Sequence, residues 1–151
     1  MLPLSVEEAI RGIAEDRTSG ASKLARLALE VMGLAIMEAK GRPEPKDLAE
    51  AARRISEAQP AMSIVHNVAH LVSRLIVEGQ DPKAVLETTR QELDAAREKI
   101  ARTFLKVAPD RGAVVTLSYS ENVLDALRTA HGKGRVDRVF ASARPSKSGR
   151  D

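Results

Sequence analysis

The chain has 151 residues, and its 24 Lys and Arg against 21 Asp and Glu give a net charge of +3. This near-balance argues against a bulk polyanion binder, and the single Tyr and two Phe argue against a stacking platform for single-stranded nucleic acid. The absence of Cys excludes a disulfide scaffold, a thiolate zinc site and a Cys nucleophile. The longest apolar stretch, residues 27–37, falls well short of the roughly 20 residues of a membrane span. We therefore expect a soluble, cytoplasmic protein with no membrane partner and no direct nucleic-acid binding.

The first two thirds of the chain predict a helical bundle of five helices. Ser5 and Glu8 form a capping-box pattern, and apolar residues then recur at helical spacing up to about Asp16. Asp81 followed by Pro82 is typical of an N-cap and first helical position. The remaining helices are predicted at about 21–39, 46–58, 61–78 and 82–107, and we assign residues 1–108 to a helical domain.

The chemical character changes at residue 109, where a short α/β segment begins. The pattern predicts a strand over 113–117, a helix over 121–131 and a second strand over 136–141, with Gly132 as the glycine that ends the helix. A strand, a helix and a strand at this spacing form a βαβ unit, so the two strands should be parallel. Because two parallel strands with one helix cannot cover both faces of a sheet, either residues 109–151 pack against the helical part in an unusual way, or they are the front of a longer α/β domain.

Three groups of polar residues are candidates for chemistry, and each also has an ordinary structural explanation. His66 and His70, four residues apart, could bind zinc, line a ligand cleft or form a solvated stripe; Asn67 stands where a helical metalloprotease needs Glu, so no metal site is predicted. Ser118 and Ser120 follow the first strand and could cap the next helix or contact a ligand. The basic residues beyond 133 could be a solvated loop or a phosphate site, with Arg144 and Arg150 as its clamp.

Taken together, these segments resemble a known family. The run Thr116–Ser120, the turn Gly132–Gly134 and the segment 143–150 resemble the alpha, beta and delta subunits of translation initiation factor 2B, whose superfamily includes ribose-1,5-bisphosphate isomerase and methylthioribose-1-phosphate isomerase. Arg17–Ala21 looks like the start of that family's helical domain. The run Gln59–Asn67 resembles its Arg-Pro-x-x-x-x-x-x-Asn segment, with Gln59 in place of Arg.

The resemblance implies a mainly α fold with a small α/β part: an N-terminal helical bundle, then the first βαβ unit of a Rossmann-like parallel-sheet domain over 109–151. Ser118 occupies the position of the isomerases' Cys, and their catalytic Asp would fall beyond residue 151. The resemblance therefore favours a non-catalytic regulatory or binding protein, with no catalytic residue, metal or cofactor. It would bind a sugar phosphate or nucleotide and associate with copies of itself or related subunits. The implied ligand contacts are Gly20, Ala21, Ser118, Ser120, Arg144 and Arg150.

Two alternatives remain open at this stage. The chain could be part of an aldose–ketose isomerase that a missing domain completes, although the absent thiol argues against this. It could also be a helical protein-interaction module that binds no ligand.

Overall fold

The structure of the chain, a computed structural model, describes residues 1–117 and 120–141. All eight predicted elements are present in this part of the chain, with ends within two residues of those predicted. They are α1 (Leu4–Glu15), α2 (Ala21–Glu38), α3 (Pro45–Ala58), α4 (Ser63–Val77), α5 (Pro82–Val107), β1 (Gly112–Thr116), α6 (Glu121–Gly132) and β2 (Val136–Ala141).

The chain divides into two compact units, Met1–Ala95 and Ala96–Asp151, and the division falls inside α5. The predicted domain boundary at 108/109 lies just past the C-terminal end of that helix and stays a prediction. The last turns of α5 fall in the second unit because Phe104 and Leu105 pack with Leu127 of α6. None of the helices in the described ranges is both long and apolar enough to cross a membrane.

The core of the first unit is built from α1 to α4 and the start of α5. Each helix contributes an apolar stripe, and α2 contributes the broadest one, as its nearly all-round apolar sequence predicts. Ile55 of α3 and Val65 of α4 are completely buried within this cluster. Truncating a completely buried Ile such as Ile55 to Ala generally costs about 2–5 kcal/mol of stability, because the neighbouring side chains fill the cavity only in part.

Two of the predicted helix ends are wrong in detail, and one is confirmed. The capping box fails because α1 already begins at Leu4, with Pro3 as its N-cap, and the Ser5 hydroxyl instead donates to Glu38 at 2.6 Å. Gly132 lies within α6, and Gly134 is the residue with positive φ (69°) that allows the chain to leave the helix. Asp81 does cap α5, since its carboxylate accepts the Ala84 N–H at 2.8 Å.

In the second unit, β1 and β2 pair in parallel and α6 covers one face of the sheet, as predicted. Val114 and Val136 pack with Leu127 and Ala130 on the covered face. Val115 and Phe140 are paired across the two strands and, like most of β2, are exposed. Within the described part of this unit, therefore, an apolar sheet face has no covering element.

Candidate functional site

The loop between α1 and α2 is fixed by the side chain of Asp16. One carboxylate oxygen, Oδ1, accepts the backbone N–H of Thr18 at 2.9 Å and of Ser19 at 2.8 Å, and it also accepts the Thr18 hydroxyl at 3.3 Å. Hydrogen bonding by Ser19, and then by Thr18, holds the pKa of the Asp16 carboxyl well below its usual range. The loop is thus closed by an ionised Asx turn that leads directly to Gly20.

Gln59, in the connection between α3 and α4, forms hydrogen bonds with the backbone at the start of the same loop. Its side-chain Nε2 donates to the Ile13 carbonyl at 2.8 Å and to the Asp16 carbonyl at 3.0 Å. The carbonyls at the end of a helix have no intrahelical partner, so these bonds cap the C-terminus of α1. In the sequence, Gln59 is marked only by standing in place of Arg, and its contacts with residues over 40 positions away leave no local signal.

The loop ends at the N-terminus of α2. Gly20 and Ala21, two of the predicted ligand contacts, lie next to each other there. Gly20 is the N-cap and makes no side-chain cap; its carbonyl accepts the Lys23 and Leu24 N–H groups at 3.1 Å each. First-turn N–H groups of a helix lack intrahelical acceptors and carry the positive end of the helix dipole. A Cβ added at Gly20 would meet no heavy atom within 4 Å apart from its two chain neighbours, so a side chain has room at this position. Such an end attracts anions, phosphate among them.

Ser120 lies at the N-cap of α6 in extended backbone, but its side chain makes no cap hydrogen bond. The neighbouring Glu121 approaches Arg97 of α5 at 3.8 Å, and Arg97 also pairs with Asp125 one turn along α6. A carboxylate in the first turn competes electrostatically with an incoming anion, although Arg97 offsets part of its charge. The N-terminus of α6 is thus a less favourable anion site than that of α2.

Ser118, Arg144 and Arg150 lie outside the described residues, so their proposed contacts with a ligand stay predictions. Gly20 and Ala21 belong to the first unit, and Ser120 belongs to the second.

The histidine pair of α4 has a solvated polar setting. The rings of His66 and His70 are 4.2 Å apart between centroids; His66 is exposed and His70 is half-buried. Burial, and then the charge of His66, lowers the pKa of His70. Among residues 1–117 and 120–141, no group of three or more His, Asp and Glu side chains is placed to hold a metal ion.

Comparison with known proteins identifies the family. A model of the initiation factor 2 subunit family matches residues 17–151. The chain belongs to this family. The predicted relationship is therefore confirmed, and the match includes the Asp16–Gly20 loop from Arg17 onward.

Curated proteins that are similar to the chain include the translation initiation factor eIF-2B subunit 2-like proteins of two Pyrococcus species. The protein of Pyrococcus horikoshii is 28% identical, over 99% of this chain and 54% of its own length. The protein of Pyrococcus furiosus is 24% identical, over 93% of this chain and 50% of its own. The chain thus spans about half the length of the curated relatives it matches.

A solved structure, the translation initiation factor eIF-2B of Pyrococcus horikoshii OT3, shares the fold. It matches with a TM-score of 0.73 at 22% identity, covering 93% of this chain and 50% of that one. The predicted fold, mainly α with a small α/β part, is confirmed by this likeness and by the element order of the chain.

Proposed function

We propose that this chain acts as a non-catalytic, ligand-binding subunit related to initiation factor 2B, and that it recognises the phosphate of a sugar phosphate or nucleotide. The observation that carries the proposal is the N-terminus of α2, whose N-cap Gly20 has no side chain to cap it and which follows a loop held by Asp16 and Gln59. A prearranged loop avoids part of the entropic cost of ordering on binding, which favours an anion at this helix end.

The non-catalytic part of the proposal is supported by the composition. No Cys occurs among the 151 residues, and Ser118 stands where the resemblance to the isomerases puts a Cys. A hydroxyl has a far higher pKa than a thiol and becomes a nucleophile or acid–base group only with an adjacent base.

Association with copies of itself or with related subunits is the other part of the proposal. Val115 is 70% exposed, Leu117 79% and Phe140 54%, all in or beside the strands of the second unit. Parallel sheets are normally covered on both faces, so this apolar surface favours a protein partner.

The experiment is a titration of the purified chain with ribose 5-phosphate and adenosine monophosphate, with ribose as the uncharged control. Binding should raise the unfolding free energy by about 2.7 kcal/mol at a ligand concentration 100-fold above Kd. Ribose should have no effect. Unchanged thermal unfolding at millimolar phosphate ligand would instead favour an interaction module, and aldose–ketose conversion by the same preparation would contradict a non-catalytic role.

The variant Gly20→Asp separates phosphate binding from folding. Asp is a better N-cap than Gly by a few tenths of a kcal/mol, so the variant should be at least as stable as the parent. Its carboxylate should nevertheless occupy the helix end and abolish phosphate binding. Gly12→Asp, on the exposed side of α1 with open space around it, adds the same charge and should leave binding intact. Equal binding by both variants would place the ligand elsewhere.

A further inference from the structure

Gln59 is bonded in a way that leaves its amide nitrogen no capacity for a ligand. The NH₂ group has two hydrogens, and both reach backbone carbonyls, those of Ile13 and Asp16. The side chain is half-buried and lies in the short connection between α3 and α4. It therefore joins this connection to the end of α1 and to the first residue of the loop that precedes α2.

The Asp16–Gly20 loop depends on both of these attachments. The Asp16 carboxylate organises the loop internally through Thr18 and Ser19. Nothing in that turn fixes Asp16 itself except its own N–H bond to the Ile13 carbonyl, which is long at 3.3 Å. The hydrogen bond from Gln59 to the Asp16 carbonyl restrains the position of Asp16, because it connects the first residue of the turn to the end of α3, which is packed in the bundle.

We infer that Gln59 is a positioning residue, which orders the Asp16–Gly20 loop through its neutral amide and so presents the N-terminus of α2 to an anion. The effect on phosphate affinity rests on the proposed function, whereas the effect on the loop does not. Because the amide carries no charge, Gln59 affects only the position of the loop. The partial positive charge at the N-terminus of α2 attracts the negative charge of a bound phosphate.

The first test measures hydrogen exchange at the Thr18 and Ser19 amides. Gln59→Met keeps the size of the side chain but removes both donors, and should lower the protection factors of these two amides about 10- to 30-fold. Gln80→Met is the control, since Gln80 is exposed in the turn after α4. Protection that is unchanged in Gln59→Met, or that falls equally throughout α1 to α4, would overturn the inference.

A pH profile of Gln59→Glu distinguishes hydrogen bonding from simple packing. At neutral pH the carboxylate faces two carbonyl oxygens and should loosen the loop at least as much as Met does. As the pH falls toward 5, the carboxyl, whose pKa such neighbours raise, takes up a proton and regains one donor. Protection in Gln59→Glu should therefore recover at low pH while protection in Gln59→Met does not. A flat profile for both variants would contradict a hydrogen-bonding role.

Phosphate affinity provides the functional readout. Gln59→Met should weaken the binding of ribose 5-phosphate by the same factor by which it lowers loop protection, whereas Gly20→Asp should abolish binding with the loop still protected. Unchanged affinity in Gln59→Met despite a loosened loop would overturn the presentation role. If the unaltered chain binds no phosphate, the proposed function fails, and the exchange measurements still decide whether Gln59 orders the loop.

Discussion

Asp16 is the residue whose charge the fold uses most directly. Its ionised carboxylate accepts backbone N–H groups from Ser19 and Thr18, which is why its pKa lies well below that of an ordinary aspartate. A carboxyl with a lowered pKa in the folded state contributes stability above the unfolded pKa, near 3.9, and loses it as the pH falls through the folded value.

Asp16→Asn should accordingly be less stable than the parent at pH 7, because an amide oxygen is a weaker acceptor than a carboxylate. The difference in unfolding free energy should hold from pH 7 down to about pH 4 and shrink below that, because the unfolded parent then takes up a proton at Asp16 while the folded parent, with its lowered pKa, does so only at still lower pH. Urea unfolding of both proteins at pH 7, 4 and 3 measures this. Asp137→Asn, which removes the same charge from an exposed position in β2, should show no such trend. A constant difference at all three pH values would contradict the assignment.

The residues of the candidate site differ in how well their roles could be predicted from the sequence. Gly20 and Ala21 could be predicted because they mark a helix start, which is a local pattern. The bonds of Gln59 could not, because they join residues 46 and 43 positions apart and exist only once α1 and α3 are packed. The Asx turn at Asp16 lies between these cases, since an Asp at a helix end followed by Thr, Ser and Gly is a local pattern typical of such a turn.

At the scale of elements, apolar periodicity predicts the described helices, and β-rich runs bounded by turn residues predict the two strands, but the start of α1 and the end of α6 differ in detail from the prediction. Periodicity reports which face is buried, and that information extends over many residues. A cap depends on the backbone angles of one residue. Ser5 has the right side chain but is already helical, and the choice between Gly132 and Gly134 is decided by which of them adopts positive φ.

The N-cap of α5 provides a prediction at this scale. Asp81→Ala removes the acceptor of the Ala84 N–H and should lower the unfolding free energy by about 1 kcal/mol. Asp81→Asn retains an acceptor oxygen and should recover most of the loss. Urea unfolding followed by circular dichroism measures both variants. Equal losses in the two would indicate that the charge of Asp81, rather than its hydrogen bond, stabilises the helix.

For the whole molecule, the most important feature is that the described elements of the second unit cover only one face of its two-stranded sheet. The first unit buries its apolar stripes within a bundle, whereas in the described part of the second unit α6 covers only one face of the two strands. The sequence could predict this imbalance because it requires only a count of strands and helices. It could not indicate which side chains form the open face, since that depends on the register that pairs Val115 with Phe140.

The open face should make the isolated chain associate. The patch is small beside the roughly 800 Å² per partner of a stable interface, so we expect weak, concentration-dependent association in analytical ultracentrifugation, with masses above the 16.3 kDa of one chain. Val115→Glu places a charge at the centre of the patch and should restore the monomer. Because Val115 is exposed, the fold should survive, and an unchanged circular dichroism spectrum would verify this.

Val77→Glu is the matched control, since Val77 is a 53% exposed valine at the end of α4 in the first unit and lies outside the sheet. It adds the same charge and should associate as the parent does, because only desolvation at the sheet face is opposed by the new carboxylate. Two results would contradict the prediction: a parent chain that sediments as a monomer at every concentration, or equal disruption by both variants. Equal disruption by both variants would indicate that association depends on net charge, which both substitutions lower equally. The sheet face would then not be the interface.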